Sequence, residues 1–396
     1  MSALPRPPLM AQRRWLSALK QPLLTMACWL LGLVLRPWAR PRPVPPAVRR
    51  VLLVRPCCLG DVLLTTAAVR ALGAALPGAC LDYLTGPAGA PGLANNPHLA
   101  AIIDLPAGPR GALRLLGRLR AARYDLAVIF DRAPQWPLLA LLAGIPVRAG
   151  LDSRYRGLGL THRVRPAPGQ HEGALALAVV RALGLPAGDP TEEYAPSAGA
   201  RARAAALLAE VAPRRPRVLL HPAGGVNAGM TLLAKRWPPE RFAALVARLA
   251  AAGATPVLTG GPADRAAVDA VLAALPAGTP PPADLAGRLD LDGHAALAAQ
   301  CDLYIGHDSG PTHLAAAVGT PTVAIFGPTD PAVYAPPGAH VRVVWRGARL
   351  DPAIDLRRRR PDEAAILAVS VDDVWAAAVA LLPVLAGTPA APGAGA

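Results

Sequence analysis

The stretch Gly306 to Pro331, GHDSGPTHLAAAVGTPTVAIFGPTDP, sets an aspartate, a serine and a histidine between a strand-like run and a helix-like run. Asp308 and Ser309 can cap the helix, and Pro311 suits its first turn. Thr312 and His313 follow inside that turn. A strand, a turn containing Gly310 and a helix N-terminus together make a site for an anion such as phosphate. An ordinary capped helix in a βαβ unit would look the same. A second candidate is Asp61, preceded by Gly60, at the C-terminal end of the apolar run Val51-Leu52-Leu53-Val54. In open α/β sheets that edge binds ligands. A carboxylate there can act as a base, or it can merely cap the helix read over Val62 to Leu76. Asp131 ends another strand-like run, Leu126 to Phe130, and adds a carboxylate to the same edge. Arg132, Arg148, Arg154, Arg156 and Arg163 lie in or near these loops, where a cationic rim could meet an anionic acceptor.

Positioning these residues requires alternating strands and helices. Leu81 to Thr85 and Ile102 to Leu105 read as further strands, and Leu113 to Ala122 and Trp136 to Leu142 as helices. From about Leu185 to Pro216 the chain is rich in Pro, Ala and Arg, with one short helix, and reads as a hinge. A second unit then opens with the strand Arg217 to His221. Lys235-Arg236-Trp237-Pro238 precedes a helix to Ala252, and Gly260-Gly261-Pro262-Ala263-Asp264 follows the strand Thr255 to Thr259. A short strand Asp284 to Ala286, a helix Gly293 to Ala299 and a last helix Val371 to Leu385 complete the unit. Two such units would leave a cleft between the C-terminal edges of their sheets. No GxGxxG follows the first strand and no GxxxxGK[ST] occurs, which argues against a dinucleotide oxidoreductase and a P-loop kinase. No His, Asp and Glu cluster has metal-ligand spacing.

The composition is biased: 46 Pro and 37 Gly among 396 residues, with aromatics at 4%. A core must therefore be built from Leu, Val and Ala. The formal charge of +15 favours anionic partners. Basic clusters interleaved with aromatics are missing, so nucleic acid is not expected as a partner. The run Arg357 to Arg360 reads as a solvated loop. Cys28, Cys57, Cys58, Cys80 and Cys301 fit no zinc or disulfide framework and read as reduced thiols.

Residues 1–46 stand apart. The window between Lys20 and Arg36 is apolar but holds only 15 residues, short of the roughly 20 that span a bilayer. Trp15, Trp29 and Trp38 with basic flanks fit an interfacial helix at a membrane surface. A poorly ordered extension, or a helix packed on the main body, is the other reading. The segment Pro37 to Pro46 is a stiff linker, and the tail 387–396 is low in complexity and reads as disordered.

Four segments carry a resemblance. They are RPCCLGDVLLTTAAVRAL at 55–72, HPAGG…AKRWPPERFAALVARL at 221–249, LTGGPADR at 258–265 and the Gly306–Pro331 stretch. In this order and spacing the chain resembles glycosyltransferase family nine, the ADP-heptose:lipopolysaccharide heptosyltransferases, from Arg49 to Leu385. The resemblance implies an α/β fold of GT-B architecture, two Rossmann-like domains facing across a cleft. An acceptor-side domain would span 47–190 and a nucleotide-sugar domain 191–386. It implies inverting transfer with no cofactor and no bound metal. Asp61 matches the position of a general base for the acceptor hydroxyl. Lys235 matches a lysine that meets the donor's phosphates. Asp308, Ser309 and Gly310 match the donor-binding turn, with Thr312 and His313 beside it. Asp264 matches an acidic residue that takes the ribose hydroxyls. Asp131, in FDRAPQW, departs from the family pattern, as does the long loop Val226 to Ala234. The hydrophobic N-terminal extension lies outside that pattern.

The expected partners are a nucleotide-diphosphate sugar such as ADP-heptose, a lipopolysaccharide-type or other membrane-linked acceptor, and the inner face of the plasma membrane, with the protein cytoplasmic and peripheral. The rivals are a nucleotide-sugar epimerase of the same shape and a catalytically silent sugar- or nucleotide-binding protein. The presence of both Asp61 and Lys235 argues against the silent protein.

Overall fold

The apolar runs become parallel strands, each covered by helices on both faces. A computed structural model describes residues 9–227, 230–347 and 363–386. The basic run Arg357–Arg360 and the tail 387–396 lie outside the described residues.

The chain begins with helix α1 (Leu9–Val34). The first sheet comprises β1 (Arg50–Val54), β2 (Cys80–Thr85), β3 (Ala101–Asp104), β4 (Leu126–Ile129), β5 (Val147–Leu151) and β6 (His162–Val164). Between and after them run α2 (Leu59–Leu63), α3 (Thr66–Ala75), α4 (Gly108–Ala122), α5 (Gln135–Leu142) and α6 (Glu172–Ala182). A strap follows, and α7 (Ala198–Val211) opens the second half. There β7 (Arg217–His221) leads to a small hairpin, β8 (Val226–Asn227) with β9 (Met230–Thr231), and then α8 (Pro239–Ala251). The second sheet continues through β10 (Thr255–Leu258), α9 (Arg265–Ala273), β11 (Ala283–Asp284), α10 (Leu291–Ala298) and β12 (Leu303–His307). It closes with α11 (Gly310–Ala317), β13 (Thr322–Phe326), α12 (Pro331–Tyr334), β14 (Val341–Trp345), α13 (Ala364–Leu367) and α14 (Val371–Leu381).

Strand order is the same in both halves: β3-β2-β1-β4-β5-β6 and β11-β10-β7-β12-β13-β14. Each order reverses beside its first strand, and the crevice at such a reversal is where open α/β sheets take ligands. In the first half that point lies between β1 and β4, at the mouth that Gly60 and Asp61 occupy. In the second it lies between β7 and β12, where Gly306 pairs with His221 just before Asp308. The cores are aliphatic, as composition demands: Val51, Leu53, Val128 and Val179 in one half, and Val218, Leu220, Ile305 and Val323 in the other. Each such side chain contributes about 1.5–3 kcal/mol by leaving water.

Several boundaries differ from expectation. The helix read over Val62 to Leu76 is two helices broken at Leu64-Thr65. Thr65 and Thr66 each donate a hydroxyl back to a carbonyl three residues earlier, at 2.7 Å, in competition with the backbone ladder. The helix also starts earlier, at Leu59, so Asp61 is its third residue and not its cap. The last helix stops at Leu381 because Pro383 cannot continue it. Arg148, expected on the rim, is buried and donates to the carbonyls of Ile145, Pro146, Gly159 and Trp38. The Trp38 contact ties the N-terminal segment to the first sheet. Cys28 is buried there too, while Leu23, Met26, Trp29 and Leu30 remain exposed. Among the described residues no helix is long and apolar enough to cross a membrane.

The two halves meet where α2 touches α11. A Cβ at Gly310 would fall 2.6 Å from Leu59 Cδ2 and 2.8 Å from Leu59 Cβ. Leu63, Tyr194, Ala295 and Leu314 make a shared apolar cluster beside this contact. Gly310→Ala should therefore lower stability by about 1–3 kcal/mol through overpacking, read as a lower urea midpoint. An unchanged midpoint would show that the two helices can part freely.

Candidate active site at the junction of the two halves

Asp61 is held by Arg55, the residue that follows β1. Arg55 Nη2 lies 3.1 Å from Asp61 Oδ1 and 3.7 Å from Glu172 Oε2. Its Nη1 donates to the Phe130 carbonyl at 2.7 Å. Burial alone would weaken the charge on Arg55, but Asp61, Glu172 and Asp131 outweigh it and hold the guanidinium more firmly protonated than usual. Arg132 pairs with the other oxygen of Glu172 at 2.6 Å. Asp131 accepts from the Ala133 N–H at 2.7 Å, bracing the turn into α5. Asp61 is thus held in place by its contact with Arg55, with part of its surface open to solvent.

Facing it across the junction is the turn into α11. Asp308 is buried, and its Oδ2 takes Lys235 Nζ at 2.6 Å and the Thr329 hydroxyl at 2.5 Å. Burial works against its charge, but Lys235, Thr329 and His313 prevail and lower its pKa. Ser309 occupies the cap position, yet its hydroxyl donates to the His307 carbonyl at 3.3 Å and caps nothing. Thr312 is buried and bonds the same carbonyl, so it braces the turn from behind. The N–H groups of Thr312 and His313 turn back to the Ser309 carbonyl, and Pro311 has none. The helix start therefore offers fewer free donors than expected. Lys235, expected to meet the donor's phosphates, is paired with Asp308, a neighbour from the same group of candidates.

His307, unremarked in the sequence, clamps this arrangement. Burial pushes it down to about 4, so it is neutral. Its Nδ1–H donates to the Ala223 carbonyl at 2.9 Å and its Nε2 accepts the Trp237 N–H at 2.8 Å. It thus fixes the segment that carries Lys235. His313 is buried, with Nδ1 2.7 Å from Glu192 Oε1. Burial disfavours its charge, but Glu192, Asp308 and Asp61 win and raise its pKa.

Asp264 lies to one side. Its Oδ2 accepts the Gly261 N–H at 2.9 Å and stands 3.6 Å from His221 Nε2. Burial works against the charge of this carboxyl too, and the His221 contact more than offsets it, lowering the pKa. His294 nearby is pushed down to about 3 by burial and by His221. These residues line a cavity of about 510 Å³ with Tyr194, Gly260, Asp292 and Pro311. Arg154 is exposed and lines a separate open cavity with Tyr155 and the α1 residues Pro22, Thr25, Met26 and Trp29. Arg156 neighbours it in the same loop, its N–H donating to the Ser153 carbonyl at 3.1 Å.

Cys57 and Cys58, read as free thiols, are joined in a disulfide just before α2. Donor atoms of Cys57, Cys58 and Asp61 lie within 4.8 Å of one another, a grouping not foreseen in the sequence. With the sulfurs bonded to each other, only the carboxylate is left as a strong donor, since the thiolate is the metal ligand.

The sequence pattern described as glycosyltransferase family 9 (heptosyltransferase) matches residues 112–363, more than half of the chain. The protein belongs to this family. It is a glycosyltransferase. It is 32% identical over 316 residues to lipopolysaccharide heptosyltransferase 2 of Escherichia coli (strain K12), covering 75% of this chain and 88% of that one. Lipopolysaccharide heptosyltransferase 3 of Escherichia coli is 31% identical over 348 residues, covering 82% and 96%. The solved structure of E. coli ADP-heptose lps heptosyltransferase II superposes with a TM-score of 0.67 at 26% identity, over 84% of this chain and 98% of that one. A family 9 glycosyl transferase from Veillonella parvula shares the fold, with a TM-score of 0.73 at 22% identity over 86% and 99%. These structures bear out the two-domain α/β architecture. The family pattern begins beyond Asp61, so the geometry beside Arg55 is an independent reason to single that residue out.

Arg55, Glu172, Glu192, His221, His294 and His307 belong to the neighbourhood of the candidate site but were not singled out in the sequence. Arg55 and His307 stand inside the quoted segments and could have been found there. Glu172 and Glu192 lie outside them.

Removing Lys235 leaves the buried Asp308 without its ion-pair partner, with the Thr329 hydroxyl still bonded to it. Lys235→Ala should cost about 3–5 kcal/mol of stability, and adding Asp308→Asn should restore much of it. Because Asp308 titrates below an ordinary carboxyl, its contribution is present above about pH 4 and is lost as pH falls through its depressed value. Denaturant titrations of wild type and both variants from pH 3 to 7 measure this. A single variant as stable as wild type would show that the pair carries no weight.

Proposed function

We propose that this chain is an inverting glycosyltransferase that moves heptose from ADP-heptose onto a lipopolysaccharide-type or other membrane-linked acceptor, without a metal. The observation that carries the reading is the packing of α2, which bears Asp61, against α11, whose His313 ring lies against Gly60, with the Lys235–Asp308 pair at the turn into α11. Residues 47–190 would hold the acceptor and residues 191–386 the donor. Asp61 takes the proton of the acceptor hydroxyl as that oxygen attacks the anomeric carbon from the face opposite the leaving diphosphate. Arg55 keeps the carboxylate aimed. Lys235 can turn from Asp308 to the diphosphate, and His313 adds positive charge beside it. Asp264 accepts the ribose hydroxyls at the edge of the cavity of about 510 Å³, which is roomy enough for a nucleoside. The names of the relatives support the sugar and the acceptor class.

The test is release of ADP from ADP-heptose on addition of a lipopolysaccharide acceptor, in EDTA. Acceptor-dependent release is expected. Asp61→Asn should bind donor normally and turn over on the order of a hundredfold more slowly. Isomerisation of the sugar without acceptor, binding without turnover, or loss of activity in EDTA restored by magnesium would each reject the proposal.

We further propose that residues 1–46 bring the enzyme to the cytoplasmic face of the inner membrane. Leu23, Met26, Trp29, Leu30 and Trp38 are exposed, and the flanking Arg13, Arg14, Lys20, Arg36 and Arg40 suit anionic headgroups, at about 1 kcal/mol for each basic residue at the surface. A chain starting near Ala47 should stay folded and active on a water-soluble acceptor, but should pellet with membranes less than the full chain. Equal partitioning would remove the membrane role.

A further inference from the structure

Glu192 lies on the strap between α6 and α7, where the chain passes from the first sheet to the second. It is buried, with 4% of its surface exposed. One oxygen meets His313 Nδ1 at 2.7 Å, and the other has no partner among the described residues. A buried carboxylate with a single partner is costly unless that partner carries charge. Its neighbours prevent it from turning away. The Glu193 N–H donates to Thr66 Oγ1 at 3.0 Å, the Glu193 carboxylate pairs with Arg70 at 3.0 Å, and the Tyr194 N–H donates to the Ala317 carbonyl at 3.2 Å. The strap is thus pinned to α3 on one side and to α11 on the other.

The far edge of the His313 ring lies against Gly60. A Cβ at Gly60 would come within 2.9 Å of His313 Cδ2 and 3.2 Å of its Nε2. With Nδ1 committed to Glu192, Nε2 is the nitrogen turned toward α2 and Asp61. The charged groups that face the ring are Glu192 from the strap, Asp308 from the end of β12 and Asp61 from α2.

We propose that Glu192 is a positioning residue for glycosyl transfer: it fixes the His313 ring through Nδ1 so that Nε2–H faces the junction of Asp61 and the Asp308 turn. This rests on the transfer reading above. Glu192 itself touches no substrate. Its carboxylate keeps the imidazole cationic where the negative diphosphate departs, and the raised pKa of His313 agrees with that. The crossover between the two halves is thereby wired directly to the reacting centre.

The experiment uses the full chain and the variants Glu192→Gln, Glu192→Asp and His313→Asn. Proton NMR of the imidazoles, with His313 assigned by its loss in His313→Asn, needs no transfer and so stands even if ADP-heptose is not the donor. His313 should titrate above an ordinary histidine in wild type, and lower by about one pH unit or more in Glu192→Gln, which lacks the facing charge. Glu192→Asp should fall between them, and it replaces the Gln variant should that chain not fold. In steady-state assays, Glu192→Gln should lower kcat roughly tenfold to a hundredfold at pH 8 with little change in donor KM. The alkaline limb of its profile should move to lower pH, because the cation is lost sooner. In the His313→Asn background, Glu192→Gln should do nothing further. An unmoved His313 titration, an unmoved alkaline limb, or full additivity of the two substitutions would overturn the proposal.

Discussion

The site depends on a close approach of two helices. Gly60 in α2 and Gly310 in α11 carry no side chain where the first half of the molecule meets the second, and Leu59 and His313 fill the space that Cβ atoms would take. Helix α2 carries Asp61 and helix α11 follows Asp308, so the same contact that joins the halves sets the distance between the proposed base and the proposed leaving-group site. Each helix follows a strand at a reversal of sheet order. The candidate site thus lies along the line where the two crevices meet.

Charge is then managed by pairing. Arg55, Asp308, Glu172, Glu192 and His313 are all nearly shut off from solvent. Isolated, each would cost several kcal/mol or lose its charge. Together they alternate in sign: Arg132 with Glu172, Glu172 with Arg55, Arg55 with Asp61, and Lys235 with Asp308. Neutral histidines finish the scaffold. His307 binds through both nitrogens to backbone and holds Trp237 beside Lys235 without adding charge.

Much of the fold is legible in the sequence because its strands are continuous apolar runs with turn residues behind them. Val51 to Val54, Leu81 to Thr85 and Arg217 to His221 all stand where the pattern puts them. The break at Thr65 is harder to read, because a hydroxyl that bonds back to its own turn leaves no mark on hydrophobic periodicity. Edge strands β6 and β14 mix polar residues into short runs and offer little signal. At the site, residues inside recognisable segments were foreseeable, and their pairing was not. Nothing in the spacing of Lys235 and Asp308, 73 residues apart, says that they touch. Glu192 lies in a Pro- and Ala-rich connection and acquires meaning only once α11 packs against it.

The Lys235–Asp308 pair also bears on which anions the candidate site would turn away. A bare lysine at a helix start would attract every phosphate and sulfate in its surroundings, and those small ions would compete with a dilute substrate. Here the ammonium is already satisfied by a carboxylate at 2.6 Å, and the turn behind it keeps most of its N–H groups for itself. A lone anion must break that pair with nothing else to offer. On the proposed reading, a nucleotide sugar that also fills the cavity beside Asp264 would bring the further contact needed to do so. On that reading the ion pair would act as a filter, keeping the cation in reserve for a ligand that is large as well as charged.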